Sequence, residues 1–230
     1  QKYHGTGNDF ILINDKSEKF PLHNSDRIRF LCDRKFGIGA DGLIIIRNHD
    51  KFDFEMFYFN SDGMQGSLCG NGSRCALAFG INNNLFKNKV VFKAIDGIHN
   101  AKAESNNIFS LSFKDVKTIK RDKNALFLDT GSPHYVELVE SIDDINVRAK
   151  GSLIRNSNRY KKNGVNVNFF KIIGPDTIKI RTYERGVEDE TLSCGTGAVA
   201  SSIAFHFLQL TKFDKLKVET PGGTLAVEFK

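Results

Sequence analysis

Cys69-Gly70-Asn71-Gly72 and Cys194-Gly195-Thr196-Gly197 are the segments of this 230-residue chain best suited to chemistry. Each opens a stretch of small and apolar residues, 73–80 and 198–207, that reads as a helix. A thiol at a helix N-terminus sits beside unsatisfied N–H groups, which bind anions and favour a thiolate. The helix dipole contributes about 0.3–1 kcal/mol there, which brings a thiol from ~8.5 towards ~7.5. Such a thiol can act as acid or base near neutral pH. Two of them suit a substrate handled from two sides, as inversion at an amino-acid α-carbon requires. One thiolate would remove the α-proton and the opposite thiol would return one. Charge would move onto the α-carboxylate, held by the N–H groups of Gly70, Asn71, Gly195 and Thr196. A single such turn fits a buried core cysteine equally well; two in matching positions argue against it. Cys32 and Cys75 lack the glycine context and are expected in the core.

The elements around the two turns repeat. Thr6-Gly7-Asn8 before Phe10-Ile11-Leu12 resembles Thr130-Gly131-Ser132 before His134-Tyr135-Val136, an offset of 124 residues. The cysteines are 125 apart, and Asp96-Gly97 resembles Gly222-Gly223 at an offset of 126. Three pairs in one order indicate duplicated halves of about 115 residues. Their boundaries are expected at 1–115, with Cys69, and 116–230, with Cys194, with the final strand able to pack on the first half. The charged stretch 114–123 is the natural join. Strands are expected over 10–14, 43–47, 52–59, 90–94, 108–113, 215–219 and 224–229. One helix is expected in each half, over 71–83 and 197–210. The second carries no charge from Gly197 to Phe205, so it should be buried inside a curved sheet.

Composition narrows the function classes. The chain is 40% hydrophobic and 26% charged, with a mean hydropathy of −0.32, as for a soluble domain. No apolar run reaches the length of a membrane span, and the first residues lack a signal-peptide core, so a cytoplasmic location with reduced thiols is expected. The net charge of +6 comes from scattered Lys and Arg, which predicts a solvated basic surface and no nucleic-acid or membrane partner. No cysteine pair has zinc spacing and no metal is expected. The glycine-rich segment 37–42 lacks the Lys-Ser/Thr of a phosphate loop and precedes a strand, so it reads as a turn or ligand-lining loop.

Taken together, His4-Gly5-Thr6-Gly7-Asn8-Asp9-Phe10, the segment 37–43, Phe59-Asn60-Ser61-Asp62-Gly63, Glu184-Arg185-Gly186 and the two cysteine turns resemble the diaminopimelate epimerase family over nearly the whole chain. The resemblance implies an α/β (α+β) fold of two pseudo-symmetric domains. Each would be a curled, mostly antiparallel sheet around a central helix, with the active site between them. It implies a cofactor-free, PLP-independent isomerase that interconverts LL- and meso-diaminopimelate in lysine and peptidoglycan-precursor biosynthesis, and a homodimer. Carried over by position, Cys69 and Cys194 are the acid/base pair. His134 and Glu184 tune the thiols. Asn8, Asn60, Gly70, Asn71, Ser132, Asn166, Glu184, Arg185, Gly195 and Thr196 bind substrate. Arg185 suits a bidentate grip on a carboxylate, and Glu184 suits an ammonium.

Other readings of these residues stay open. Asn60 fits a turn, Glu184-Arg185 a surface pair, His134 a structural role, and Asn166 the solvent face of an alternating strand. Ser132 stands where many members have Asn, and Gly42 where some have Gln. The rival functions are a proline or hydroxyproline racemase-like enzyme, a phenazine-biosynthesis-type isomerase, and a binding module for an anionic metabolite.

Overall fold

The computed structural model describes residues 1–66, 68–105 and 107–230. Its contacts divide the chain into two compact units, Gln1–Phe113 and Lys114–Lys230. In the first, β1 (Lys2–Gly5) and β2 (Asn8–Asn14) form a hairpin. Its two loop residues, Thr6 and Gly7, have φ of 49° and 84°, which a turn matched to strand twist demands. Then come α1 (Ser25–Cys32), β3 (Gly42–Arg47), β4 (Phe54–Asn60), α2 (Gly70–Asn82), β5 (Lys89–Ala94), β6 (Gly97–Ser105) and β7 (Ile108–Leu111). The seven strands lie in sequence order in one sheet. β2–β3 and β4–β5 are parallel, joined across α1 and α2, and the other neighbours are antiparallel. Helix α2 touches both edge strands, β1 and β7, as well as β2, β3 and β6. The sheet is therefore curled around it.

Strand β3 explains the unbroken apolar run Leu43-Ile44-Ile45-Ile46. Ile44 and Ile46 cluster with Phe10, Phe54, Phe92 and the α2 residues Leu77 and Phe79. Leu43 and Ile45 cluster on the opposite face with Ile28 and Cys32 of α1. A strand covered on both faces loses its alternation.

The second unit contains β8 (Ile119–Asp122), β9 (Ala125–Asp129), β10 (Pro133–Leu138), α3 (Val147–Arg155), β11 (Asn166–Ile172), β12 (Thr177–Glu184), β13 (Asp189–Thr191), α4 (Gly195–Phe207), β14 (Lys215–Thr220) and β15 (Gly223–Glu228). Its sheet runs β15-β14-β12-β11-β10-β9-β8, with β13 paired to β12. The pairing sequence from β9 to β15, leaving out β13, is antiparallel, parallel, antiparallel, parallel, antiparallel. That is also the sequence from β1 to β6. The internal repeat is thus a repeat of topology. Helix α4 touches β9, β10, β11, β12, β14 and β15, and buries Thr196, Ala198, Ala200, Ser201, Ser202, Ala204 and Phe205. Its small side chains allow the sheet to wrap closely.

Several elements differ from expectation. Each unit has a second helix, α1 or α3, where one helix per half was read. Both are short, and each buries only two residues along its length, Ile28 and Cys32 in α1, Val147 and Gly151 in α3. Their signal was the cap: Asn24 and Asn146 each accept a backbone N–H from three residues on, Arg27 and Ala149. The stretch 114–123, read as a join, contributes β8. The cysteine helices begin at Gly70 and Gly195, immediately after the thiols, because each cysteine is itself the N-cap.

Candidate active site

Cys69 caps α2 with an extended backbone, and its sulfur accepts the Gly72 N–H at 3.4 Å. On its other side the sulfur lies 3.7 Å from Asn8 Oδ1. Asn71 Nδ2 donates to the same Asn8 oxygen at 3.3 Å, and Asn71 Oδ1 accepts from Arg74 at 2.7 Å. Asn8 Nδ2 donates to Asp41 Oδ2 at 2.7 Å. The expected residues Asn8, Cys69 and Asn71 are therefore in one network. Its ends are a guanidinium, which only donates, and a carboxylate, which only accepts. Arg74 is half-buried, and burial lowers its pKa, an effect the nearby Cys69 and Cys75 thiols partly oppose.

Behind Asn8 lies a charged cluster that the sequence reading did not single out. Arg34 binds Asp9 through both terminal nitrogens, at 3.1 and 2.7 Å, and reaches Asp41 at 2.8 Å. Lys2 adds a 2.9 Å ion pair to Asp9. Burial raises the Asp9 pKa, but hydrogen bonds from Arg34, Lys2 and the Asp41 N–H outweigh it and hold the carboxyl well below the usual range. The signal was available, since Asp9 and Asp41 lie inside the phrases that carry the family resemblance. Asn60 ends β4, with its Oδ1 accepting from Tyr58 at 2.7 Å.

In the second unit Cys194 is 6% exposed and caps α4. Here the sulfur does not take a cap bond and lies 3.4 Å from Thr196 Oγ1. Thr196 is anchored through its carbonyl, which accepts from Thr130 at 3.1 Å. Ser132, Asn166 and Arg185 come together: Asn166 donates to Ser132 at 3.0 Å and accepts the Arg185 N–H at 2.8 Å. Asn166 is buried, and so is Asn168 beside it. The alternating-strand reading, with Asn166 facing solvent, does not hold, because β11 is covered on both faces. Glu184 is the last residue of β12, as Asn60 is of β4, and the two are 124 apart. The Arg185 guanidinium donates to the Asn163 carbonyl at 2.8 Å.

His134 is fully buried on β10. Burial pushes its pKa down to about 3, helped by the Arg185 charge and opposed by a hydrogen bond with Asn168. It is a neutral imidazole at physiological pH. Asn168, absent from the sequence expectations, touches both His134 and α4: a Cβ at Gly197 would come within 2.3 Å of Asn168 Oδ1. Glycine is what lets the helix start there. Cys32 and Cys75 pack in the cores as expected, and burial pushes their pKa values up to about 11 and about 12. Among the described residues no group of three or more His, Cys, Asp or Glu is arranged for a metal ion, and no helix is long and apolar enough to cross a membrane.

A sheet curled around a helix capped by a cysteine, twice over, defines a class. The fold matches that of a PhzF-family phenazine biosynthesis protein from Bacillus anthracis, with a TM-score of 0.72 at 13% identity, over 98% of this chain and 88% of that one. It also matches a hydroxyproline epimerase from Agrobacterium vitis, with a TM-score of 0.70 at 14% identity, over 98% and 82%. Those likenesses establish the fold alone. The sequence is more specific: the diaminopimelate epimerase family model matches residues 1–110 and 126–230. A diaminopimelate epimerase from Flavobacterium psychrophilum is 48% identical over 99% of this chain and 89% of its own length. One from Aquifex aeolicus is 39% identical over 99% and 88%. The chain belongs to the diaminopimelate epimerase family.

Proposed function

We propose that this chain is an isomerase that interconverts LL- and meso-diaminopimelate without a cofactor, in lysine and peptidoglycan-precursor biosynthesis. The observation that carries the reading is the matched pair of helices, each N-capped by a cysteine at the equivalent point of a repeated topology. Cys69 and Cys194 act on opposite faces of one α-carbon. A thiolate takes the α-proton, the electron pair passes towards the α-carboxylate, and the other thiol delivers a proton to the opposite face. The product has the inverted centre, and the thiol and thiolate have exchanged places. N–H groups at Gly70, Asn71, Gly195 and Thr196 hold the carboxylate as its charge grows.

The surroundings support these roles. Cys69 has both a donor and an acceptor at hand: the Gly72 N–H suits a thiolate, and Asn8 Oδ1 suits a thiol. That serves a group that alternates between the two states. Arg185 retains guanidinium donors beyond the one given to Asn163 and can grip the distal carboxylate. Asn60, Asn166, Ser132 and Glu184 complete the hold on the distal amino-acid end, with Asn166 acting partly by fixing Ser132 and the Arg185 backbone. A proline-sized substrate has no second head for these groups. His134 and Glu184 tune the thiols. The reading carries a homodimer in the cytoplasm, where thiols stay reduced.

The test is exchange in D2O. Reduced protein incubated with LL-diaminopimelate should place deuterium at the α-carbon as meso product forms. Exchange on proline with none on diaminopimelate would sink the substrate assignment. No exchange on either would leave a binding module.

A further inference from the structure

The hydrogen bonds around His134 assign the position of its proton. Asn168 Nδ2 lies 2.9 Å from His134 Nδ1, 3.1 Å from the Tyr135 carbonyl and 3.4 Å from the Asn166 carbonyl. The carbonyls only accept, so the atom facing them is the amide nitrogen. On the other side Asn168 Oδ1 accepts the Thr182 hydroxyl at 3.0 Å. The amide orientation is thereby fixed without reference to the imidazole. A donor facing Nδ1 requires a lone pair there, so the ring's single proton sits on Nε2. That Nε2 is buried and has no hydrogen-bond partner among the described residues. Buried donors are seldom left so.

We infer that Asn168 is a positioning residue that locks His134 as the neutral Nε2–H tautomer, so that the imidazole gives a hydrogen bond to an anionic oxygen or sulfur of the reacting centre and does not take a proton. The same side chain meets the first turn of α4 at Gly197, so the ring is set relative to the helix that Cys194 caps. The positive charge of Arg185 also disfavours a second proton on the ring. This inference rests on His134 belonging to the site and specifies what it does there.

The test is a long-range ¹⁵N–¹H spectrum of the full-length protein with labelled histidine at pH 7, the His134 signal being assigned by its loss in His134→Gln. Nε2 should be protonated and Nδ1 bare. A proton on Nδ1, or on both nitrogens, overturns the inference with no other variant needed. Asn168→Asp puts an acceptor against Nδ1 and should move the proton there. With folding verified by circular dichroism, kcat should fall at least tenfold while KM changes less than threefold. A folded Asn168→Asp protein that keeps the Nε2–H signal also overturns it. Full activity in His134→Gln would instead remove His134 from the site and leave the tautomer assignment standing.

Discussion

Gly72 and Gly197 hold the same place, third in their cysteine-capped helices, yet alanine should affect them differently. At Gly197 the new Cβ would stand 2.3 Å from Asn168 Oδ1; at Gly72 it would stand 2.8 Å from Ile44 Cδ1. A relaxed carbon–oxygen contact is about 3.3 Å, so the Asn168 oxygen must retreat by about 1 Å. That breaks its bond from Thr182 and draws Nδ2 away from His134. A net hydrogen bond is worth about 1 kcal/mol, and a stranded buried group costs about 1–3 kcal/mol. Against this, replacing a helical glycine by alanine returns at most about 1 kcal/mol. Gly197→Ala should therefore be destabilised by about 2 kcal/mol. At Gly72 the obstacle is the end of an aliphatic chain that can turn aside, so Gly72→Ala should stay within about 1 kcal/mol of the parent. Urea unfolding reads the difference: with m near 2 kcal/mol per molar, the Gly197→Ala midpoint should fall by about 1 M at unchanged m. Equal midpoints for the two variants, or a Gly197→Ala protein more stable than the parent, would refute the idea that Asn168 is rigidly held.

Cys69→Ala and Cys194→Ala should each lose at least a thousandfold in epimerisation, measured by chiral separation of LL and meso isomers; full turnover by either would end the two-thiol scheme. His134 stays neutral in the folded state but binds a proton near pH 6.5 when unfolded. Its folded pKa is depressed, so the unfolded chain binds more protons and stability falls with acidification between the two values. Between pH 6 and 4.5 this should amount to about 1.4 kcal/mol per pH unit, a slope that His134→Gln should flatten in parallel urea titrations. Arg185→Lys should raise KM for diaminopimelate at least tenfold with kcat changed much less, since a lysine cannot grip a carboxylate with a planar fork. Unchanged KM would move the distal grip elsewhere.

The two cysteine turns of the candidate site were legible in the sequence because a cysteine before Gly-x-Gly is a rare local phrase, and finding it twice at one offset marks a duplication. The helices those phrases open were legible for the same reason. Helices α1 and α3 were not, because each buries two residues and a hydrophobic period needs more to register. Asn166, expected to bind substrate, also fits the solvent face of an alternating strand, and Asn168 two residues on carries no sequence signal of its own. Only the sheet, with α3 on one side and α4 on the other, turns that pattern into two buried amides. The Asp9–Arg34–Asp41 cluster ties β2 to the connection between α1 and β3; its two acids lie inside the family phrases, but their pairing through Arg34 is set by the fold and has no local signature.

The composition of α4 sets the sign of what mutation does there. Five of its buried positions, Ala198, Ala200, Ser201, Ser202 and Ala204, carry no more than a methyl or hydroxymethyl group, while the bulk around them comes from strand residues such as Phe170, Ile178, Ile180 and Val218. Truncation therefore costs little at these five helix positions and much on the strands, where a lost side chain leaves a cavity worth about 2–5 kcal/mol. Enlargement reverses the order, because a helix already in contact with six strands has no free radius to give. A saturation library of this unit should show these five helix positions tolerating only small residues while the facing strand positions tolerate only large ones.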